Sequence, residues 1–227
     1  MDVVLSSGYL AFARQAGFLD SLEAHGVAVD ALCGTSSGAL VGALWAAGMP
    51  ARDIGREIRA MRPINLLTPR WAFWGGLFSL DRAVAHLRSM GVPDRFDQLP
   101  RPFAVGVVDR DRKHHLLTSG DLPEAVVASA AIPWLFAPRC IDGKWWADGG
   151  LVDRTGFGAF RAWRGQRPAL VHLVARSLGG ASSDLSGVTV VHTPSSRASL
   201  FGLGPFEREF DEAVAATRAV LGRLLPG

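Results

Sequence analysis

Short, uninterrupted apolar runs alternate with longer stretches of helical spacing over the first 48 residues of the chain. Val3-Val4-Leu5 reads as a buried strand, Ser6-Ser7-Gly8 as a turn, and Leu10 to His25, closed by Gly26, as a helix. The run Val27 to Cys33 predicts a second strand. Ala39 to Ala47 predicts a second helix, which Gly48 and Pro50 stop. Strand, helix, strand, turn, helix with short links implies a parallel sheet with right-handed crossovers, in which ligands collect at the carboxyl ends of the strands. Gly38, Gly42 and Ala46 share one face of the second helix and Ala39, Ala43 and Ala47 the next, because residues four apart lie above one another. Two stripes of small residues require that helix to pack very close to the sheet.

Helical spacing at Ile54, Ile58 and Met61, then at Val84 and Leu87, predicts mainly helix from Ala51 to Met90, interrupted by an irregular, aromatic-rich loop from Pro69 to Leu80. Phe103 to Val108 is a strand, Arg110 to Arg112 a turn and His115 to Thr118 the hairpin partner. Asp121-Leu-Pro-Glu124 reads as a helix start: Asp121 caps, Pro123 sits in the first turn, Glu124 is spaced to reach back, and the helix runs through Ala130. Asp142-Gly143 favours a two-residue hairpin between Ala137–Ile141 and Lys144–Ala147, which puts Asp148 just past a strand end. Leu170 to Ala175 and Val188 to His192 are strands, and Gly179 to Ser186 is a flexible loop. Phe206, Phe210, Val214, Thr217, Leu221 and Leu224 mark an amphipathic closing helix over Pro205 to Leu225. The sum is an α/β fold: a single domain over residues 1–227, in three layers, with a mainly parallel central sheet flanked by helices.

Composition narrows this further. With 227 residues and 48% hydrophobic content the chain can bury a sizeable core and is not disordered. The net charge of +3 is small and the basic residues are scattered, which points away from nucleic acid. No apolar stretch approaches the roughly 18 residues of a membrane span, and an apolar run begins at Val3 without a basic leader, so a cytoplasmic location is expected. Cys33 and Cys140 both lie in apolar runs and are expected to be buried thiols. No metal-ligand spacing is present, and no cofactor or metal is expected.

Chemistry enters at Cys33-Gly-Thr-Ser-Ser-Gly38, a G-x-S-x-G pentapeptide on Gly34, Ser36 and Gly38. Between a strand and a helix such a turn is sharp, holds Ser36 in a strained conformation and presents its hydroxyl at a helix N-terminus. There the unpaired amides and the positive end of the helix dipole favour the negative charge that develops when a serine attacks an ester. A serine hydroxyl needs a base. The α/β-hydrolase order of serine, acid and histidine is filled by Ser36, Asp148 and either His172 or His192, although that fold places its nucleophile after several strands and Ser36 follows only two. The alternative base is Asp148 itself, in Trp146-Ala-Asp148-Gly-Gly-Leu151. Its neighbours Gly149 and Gly150 allow close approach to another turn, and partial burial beside Trp145 and Trp146 raises its proton affinity.

Taken together and in order, Gly34-Thr-Ser-Ser-Gly38, Ser119-Gly-Asp121, Ala128-Ser-Ala-Ala-Ile-Pro133 and Asp148-Gly-Gly150 resemble the patatin-like phospholipases. The resemblance runs from about Val3 to Asp153. It implies a patatin-like fold and a serine lipid acyl hydrolase with Ser36 as nucleophile and Asp148 as the base that deprotonates it and later activates water, with no histidine and no metal. Ser129 to Pro133 would then support the site from outside. The family's glycine-rich oxyanion loop, three glycines followed by a basic residue and another glycine, aligns with Ser7-Gly8-Tyr9-Leu10-Ala11-Phe12, where only Gly8 survives. Backbone amides do not depend on the side chain, so Gly8 and Tyr9, together with Ser37, are the expected oxyanion donors, but Tyr9 does not easily adopt positive φ. Losing one such donor typically costs about a hundredfold to a thousandfold in turnover. A catalytically silent lipid- or acyl-binding module of the same fold is therefore the competing reading. Arg154-Thr155, where the family usually shows a polar residue and proline, reads as loop variation with little bearing on the dyad.

The substrate expected is a lipid or acyl ester. Trp71-Ala-Phe-Trp-Gly-Gly-Leu-Phe78 gathers four aromatic residues around two glycines. It reads either as a lid that touches a membrane or micelle surface through Trp71, Phe73, Trp74 and Phe78, or as packing between helices.

Overall fold

The computed structural model describes residues 1–71, 75–175 and 183–224. Its backbone is one sheet built from β1 (Asp2–Leu5), β2 (Ala31–Thr35), β5 (Phe103–Val108), β6 (His114–Leu117), β7 (Arg139–Ile141), β8 (Lys144–Asp148), β9 (Ala169–Val174) and β10 (Thr189–Thr193), in the order β10-β9-β1-β2-β5-β8-β7, with β6 pairing β5 off that path. The five strands from β10 to β5 run parallel, while β6 and β8 pair antiparallel with β5 and β7 antiparallel with β8. This is the expected mainly parallel sheet flanked by helices.

The near-continuous apolar runs of β1, β2 and β5 follow from burial on both faces. Val3, Leu5, Leu32, Phe103, Val105 and Val107 point into the larger core, and Val4, Ala31, Cys33, Ala104 and Val171 into a smaller one closed by Phe157 and Phe160 of α6 (Phe157–Arg164). The larger face carries α1 (Phe12–Ala24), α2 (Ser37–Ala46), α3 (Ala51–Ala60), α4 (Asp81–Ser89), α5 (Leu122–Ser129) and α7 (Phe206–Leu224). Helix α1 lies against α2, α3 and α7 at once. Burial therefore takes in even Arg14, Gln15 and Ser21 on that helix, and Arg14 reaches Glu212 of α7 at 3.0 Å.

Several boundaries differ from the sequence expectation for identifiable reasons. Val27 does not begin β2: Gly26 stands at φ +60 and the Val27 N–H donates to the Leu22 carbonyl at 3.0 Å, so Val27 closes α1 as the apolar residue of a left-handed helix cap. The segment expected to be an irregular loop is framed by a two-residue antiparallel pair, β3 (Thr68–Pro69) with β4 (Phe78–Ser79). Ala72 to Trp74 within it, and Gly179 to Ser182 of the loop expected over Gly179 to Ser186, fall outside the described residues. Asp121 caps α5, accepting from the Glu124 N–H at 3.0 Å, but the Glu124 carboxylate does not reach back; it accepts from Arg139 at 2.7 and 2.8 Å instead. Asp148 is the last residue of β8 and not beyond it. Cys33 is buried as expected, whereas Cys140, on the short strand β7 at the sheet's edge, is exposed. No helix among the described residues is long and apolar enough to cross a membrane.

Candidate active site

Strand β2 ends at Thr35 and α2 begins at Ser37, so Ser36 alone makes the turn. Its backbone sits at φ 55 and ψ −119, a sparsely allowed region for a residue with a side chain. Three features hold it there. The Ser36 N–H donates to Ser129 Oγ at 2.8 Å, and Ser129, the fully buried last residue of α5, donates in turn to the Gly106 carbonyl of β5 at 2.5 Å. A Cβ on Gly38 would stand 2.5 Å from the Leu5 carbonyl oxygen, so the start of α2 rests directly on β1, and a Cβ on Gly34 would stand equally close to the Gly38 carbonyl oxygen. The small-residue stripe expected on α2 is thus the contact surface that allows the turn to be tight.

Asp148 arrives from the other side, where β8 pairs with β5 and sets Asp148 opposite Val107. Ser36 Oγ donates to Asp148 Oδ2 at 3.1 Å, and the Gly150 N–H donates to Oδ1 at 2.8 Å. The carboxyl group is 5% exposed, and burial pushes its pKa up from 3.8 to about 7, against the opposing pull of those two hydrogen bonds. Of the two tryptophans expected to enclose it, Trp146 shares its face of β8 and is buried. Trp145 points to the opposite face and is exposed. Gly149 and Gly150 permit the approach: a Cβ on the first would stand 2.5 Å from the Gly106 carbonyl oxygen and one on the second 2.7 Å from Ser7.

The Ser6 to Leu10 loop closes the third side, and Gly8, Tyr9 and Ser37 line one cavity with Ser36 and Asp148. The start of this loop, Ser6 and Ser7, is tied down by side-chain hydrogen bonds. Ser6 Oγ donates to the Ser7 carbonyl at 3.2 Å and accepts from the Val174 N–H at 3.0 Å. Gln15 Nε2 donates to the Ser6 carbonyl at 2.8 Å. The Ser7 N–H donates to the Arg154 carbonyl at 2.7 Å, and Arg154 Nη2 donates to the carbonyls of Ser7 and Val174 at 3.1 and 2.6 Å. Arg154, 6% exposed, is therefore part of this loop's support, a role its sequence position did not suggest. Positive φ falls on Leu10, at 47, and not on Tyr9.

The histidines stand elsewhere. His172 Nδ1 contacts Gln15 Oε1 at 2.6 Å and Nε2 contacts Thr193 Oγ1 at 2.9 Å, while its ring stacks on Phe18 at 4.7 Å. Burial drives its pKa down to about 3, so it is a neutral core residue fully engaged with other partners. His192 is exposed on β10, two strands beyond β1. Neither meets Ser36, which overturns the serine, acid, histidine alternative for these two residues.

A cavity of about 170 Å³ opens at Ser36. Leu40 and Leu44 line it along α2, and Ile58, Met61, Leu87 and Met90 are among the residues that close it from α3, α4 and their flanks. At 1.5 Å per residue, the helix from Ser36 to Leu44 makes a wall about 12 Å long. The cavity is apolar except for the groups around Ser36 and for His86. Sequence spacing pointed to these helices but not to the hollow between them. Trp71 is almost wholly exposed, Phe78 is half-buried against the core, and Phe73 and Trp74 lie outside the described residues.

Comparison with known proteins bears on the family and the fold. The family described as patatin-like phospholipase matches residues 3–161. Uncharacterized NTE family proteins of Mycobacterium tuberculosis and Mycobacterium bovis are 29% identical over 154 residues, 66% of this chain, which spans 42% of their length. Among solved structures, VipD from Legionella pneumophila superposes with a TM-score of 0.59 at 13% identity, over 98% of this chain and 66% of that one. The type III effector protein ExoU superposes at 0.57 and 15%, over 98% and 52%. The chain belongs to the patatin-like phospholipase family, a family of lipid acyl hydrolases.

Proposed function

We propose that this protein is a serine ester hydrolase acting on lipid or acyl esters through Ser36 and Asp148, with residues 1–227 working as one catalytic unit. The observation that carries the reading is the 3.1 Å hydrogen bond from Ser36 Oγ to a buried Asp148 whose pKa, about 7, suits a general base at neutral pH. The Ser36 proton passes to Asp148 as Oγ bonds to the carbonyl carbon. The Ser7 N–H is committed to Arg154, so the oxyanion is held by the amides of Gly8, Tyr9 and Ser37 at the head of α2. Asp148 returns the proton to the departing alcohol as the ester C–O bond breaks, which leaves Ser36 acylated. Water then loses a proton to Asp148 and attacks the acyl carbon, the acid leaves, and the proton goes back to Ser36 Oγ. The substrate's acyl chain occupies the apolar cavity beside α2. No nucleic acid and no cofactor enter this scheme.

Labelling with a fluorophosphonate, which needs an activated serine and carries its own leaving group, fluoride, tests it. Wild type is expected to label, Ser36→Ala not at all, and Asp148→Asn at least about a hundredfold more slowly, the usual worth of a positioned base. A folded wild type that takes no label overturns the enzyme reading in favour of a lipid-binding module whose oxyanion loop no longer supports chemistry.

A further inference from the structure

A second groove, of about 500 Å³, lies beside the Ser36 cavity and shares Phe136 and Leu151 with it. Trp134, Trp145, Trp146 and Pro133 line it, together with the exposed Arg110 and Arg112. Trp134 is 84% exposed on a backbone held at φ +70, a conformation that costs a tryptophan energy without burying its ring. The Trp134 carbonyl accepts from the Leu77 N–H at 3.2 Å, and the Leu77 carbonyl from the Arg70 N–H at 2.9 Å, which brings the β3–β4 hairpin with Trp71 to the same edge. Of the seven large hydrophobic side chains exposed among the described residues, Trp134 and Trp145 line this groove, and Leu77 and Trp71 belong to the backbone that joins its edge. So concentrated an apolar patch marks an interaction surface.

Its charge says what it meets. Arg110 lies over the Trp145 ring at 5.2 Å, and neither Arg110 nor Arg112 forms an ion pair among the described residues. Asp109, also in the groove, already accepts from the Lys113 N–H and from His115, and Asp111 is the only other carboxylate of the Asp109–Lys113 turn, against three cations. Exposed tryptophans rimmed by free arginines suit the boundary of a bilayer, where rings sit among headgroups and arginines meet anionic phosphates.

We propose that this face docks the protein on a lipid bilayer containing anionic headgroups, with the groove against the membrane and the Ser36 cavity opening beside it. The orientation rests on the reading of that cavity as the acyl-ester site; the binding does not. The test uses the full chain carrying Ser36→Ala, so that binding is measured without hydrolysis, by co-sedimentation with phosphatidylcholine vesicles prepared with and without phosphatidylglycerol. Partitioning is expected to rise with phosphatidylglycerol and fall with added salt. Arg110→Gln with Arg112→Gln is expected to lower it on anionic vesicles by roughly 30-fold, about fivefold for each cation at the surface, and hardly at all on neutral ones. Trp134→Asn, which keeps a residue tolerant of the left-handed backbone, and Trp145→Ser in a regular strand are each expected to lower it several-fold on both. In the Ser36 background these variants should leave fluorophosphonate labelling unchanged, which shows that they fold. Wild-type binding that ignores phosphatidylglycerol, or variants that bind as wild type does, overturns the proposal; a chain that labels but binds no vesicle points instead to a protein partner for this face.

Discussion

Asp148 carries two opposed demands. A base must be ionised to take the Ser36 proton, yet the site that positions it also desolvates it, and its pKa rises from 3.8 to about 7. If it is the base, kcat/KM should fall about tenfold per pH unit well below 7 and level off above 8. The same shift predicts a stability effect of definite sign. A raised folded-state pKa means that the folded protein holds the proton more tightly than the unfolded chain. The resulting stabilisation is complete below pH 3.8 and is lost as pH rises through about 7. At pH 8 the buried charge then costs on the order of 4 kcal/mol relative to the neutral carboxyl. Asp148→Asn, neutral at every pH, should therefore raise the melting temperature at pH 8 by roughly 5 °C or more while abolishing turnover, and by much less at pH 5. Thermal unfolding at the two pH values decides it. An equal loss of stability at both would mean that the carboxyl is ionised throughout and that its hydrogen bonds outweigh its burial.

At the scale of elements, the loop between β1 and α1, proposed above to hold the oxyanion, is held by a frame of side chains. Ser6 and Ser7 are buried, Gln15 of α1 holds the Ser6 carbonyl, and Arg154, 147 residues along the chain, bridges the Ser7 and Val174 carbonyls. Replacing Arg154 by Met takes one donor from the Val174 carbonyl and one from the Ser7 carbonyl, which keeps Ser6 Oγ, at a cost of about 1–3 kcal/mol in all, and frees the segment that leads into Gly8 and Tyr9. The expected result is a kcat lower by roughly ten- to a hundredfold with KM within twofold, partly restored in Arg154→Lys, whose ammonium reaches one carbonyl. A loss confined to thermal stability, with kcat intact, would leave Arg154 a structural residue only. This loop also marks where sequence reading ran out. Ser36 and Asp148 were legible because each chemistry-bearing residue stands beside glycines that a close approach requires. The strand-to-helix order likewise followed from apolar spacing alone. Arg154 carried no such local mark, since its role is a contact between β9, β1 and the segment after β8 that only the assembled sheet creates. Val27 misled because an apolar residue that closes a helix looks, in one dimension, like one that opens a strand. His172 stands within an apolar run, the mark of a core histidine, but the partners that satisfy it, Gln15 and Thr193, lie 157 and 21 residues away and could not be read from it.

The whole molecule shows why residues beyond the family match are needed. The match ends at residue 161, yet β9 pairs with β1 along its length and α7 packs on α1, so the C-terminal part completes the sheet that carries Ser36. Helices α2, α3 and α4 then enclose the apolar cavity against that sheet, and if the substrate's acyl chain lies in it, as proposed, its length sets a limit on that chain. Each methylene moved from water into it contributes about 0.8 kcal/mol, which is roughly a fourfold gain in kcat/KM per carbon where that contact persists in the transition state. Across a series of p-nitrophenyl esters, kcat/KM should climb at about that rate from acetate and then plateau once the wall along α2 is covered. Leu44, two turns beyond Ser36, is the residue to move that plateau. Leu44→Phe fills the far part of the cavity and should shift the break to shorter chains, leaving short esters and fluorophosphonate labelling within about twofold because Ser36 is about 12 Å away. Overpacking at a side chain this buried costs about 1–3 kcal/mol, so the variant is compared with Leu44→Met, which keeps the volume and should keep the wild-type break. If all three show the same plateau, or if the rate is flat across the series, the acyl chain does not lie along α2 and the cavity serves the fold alone.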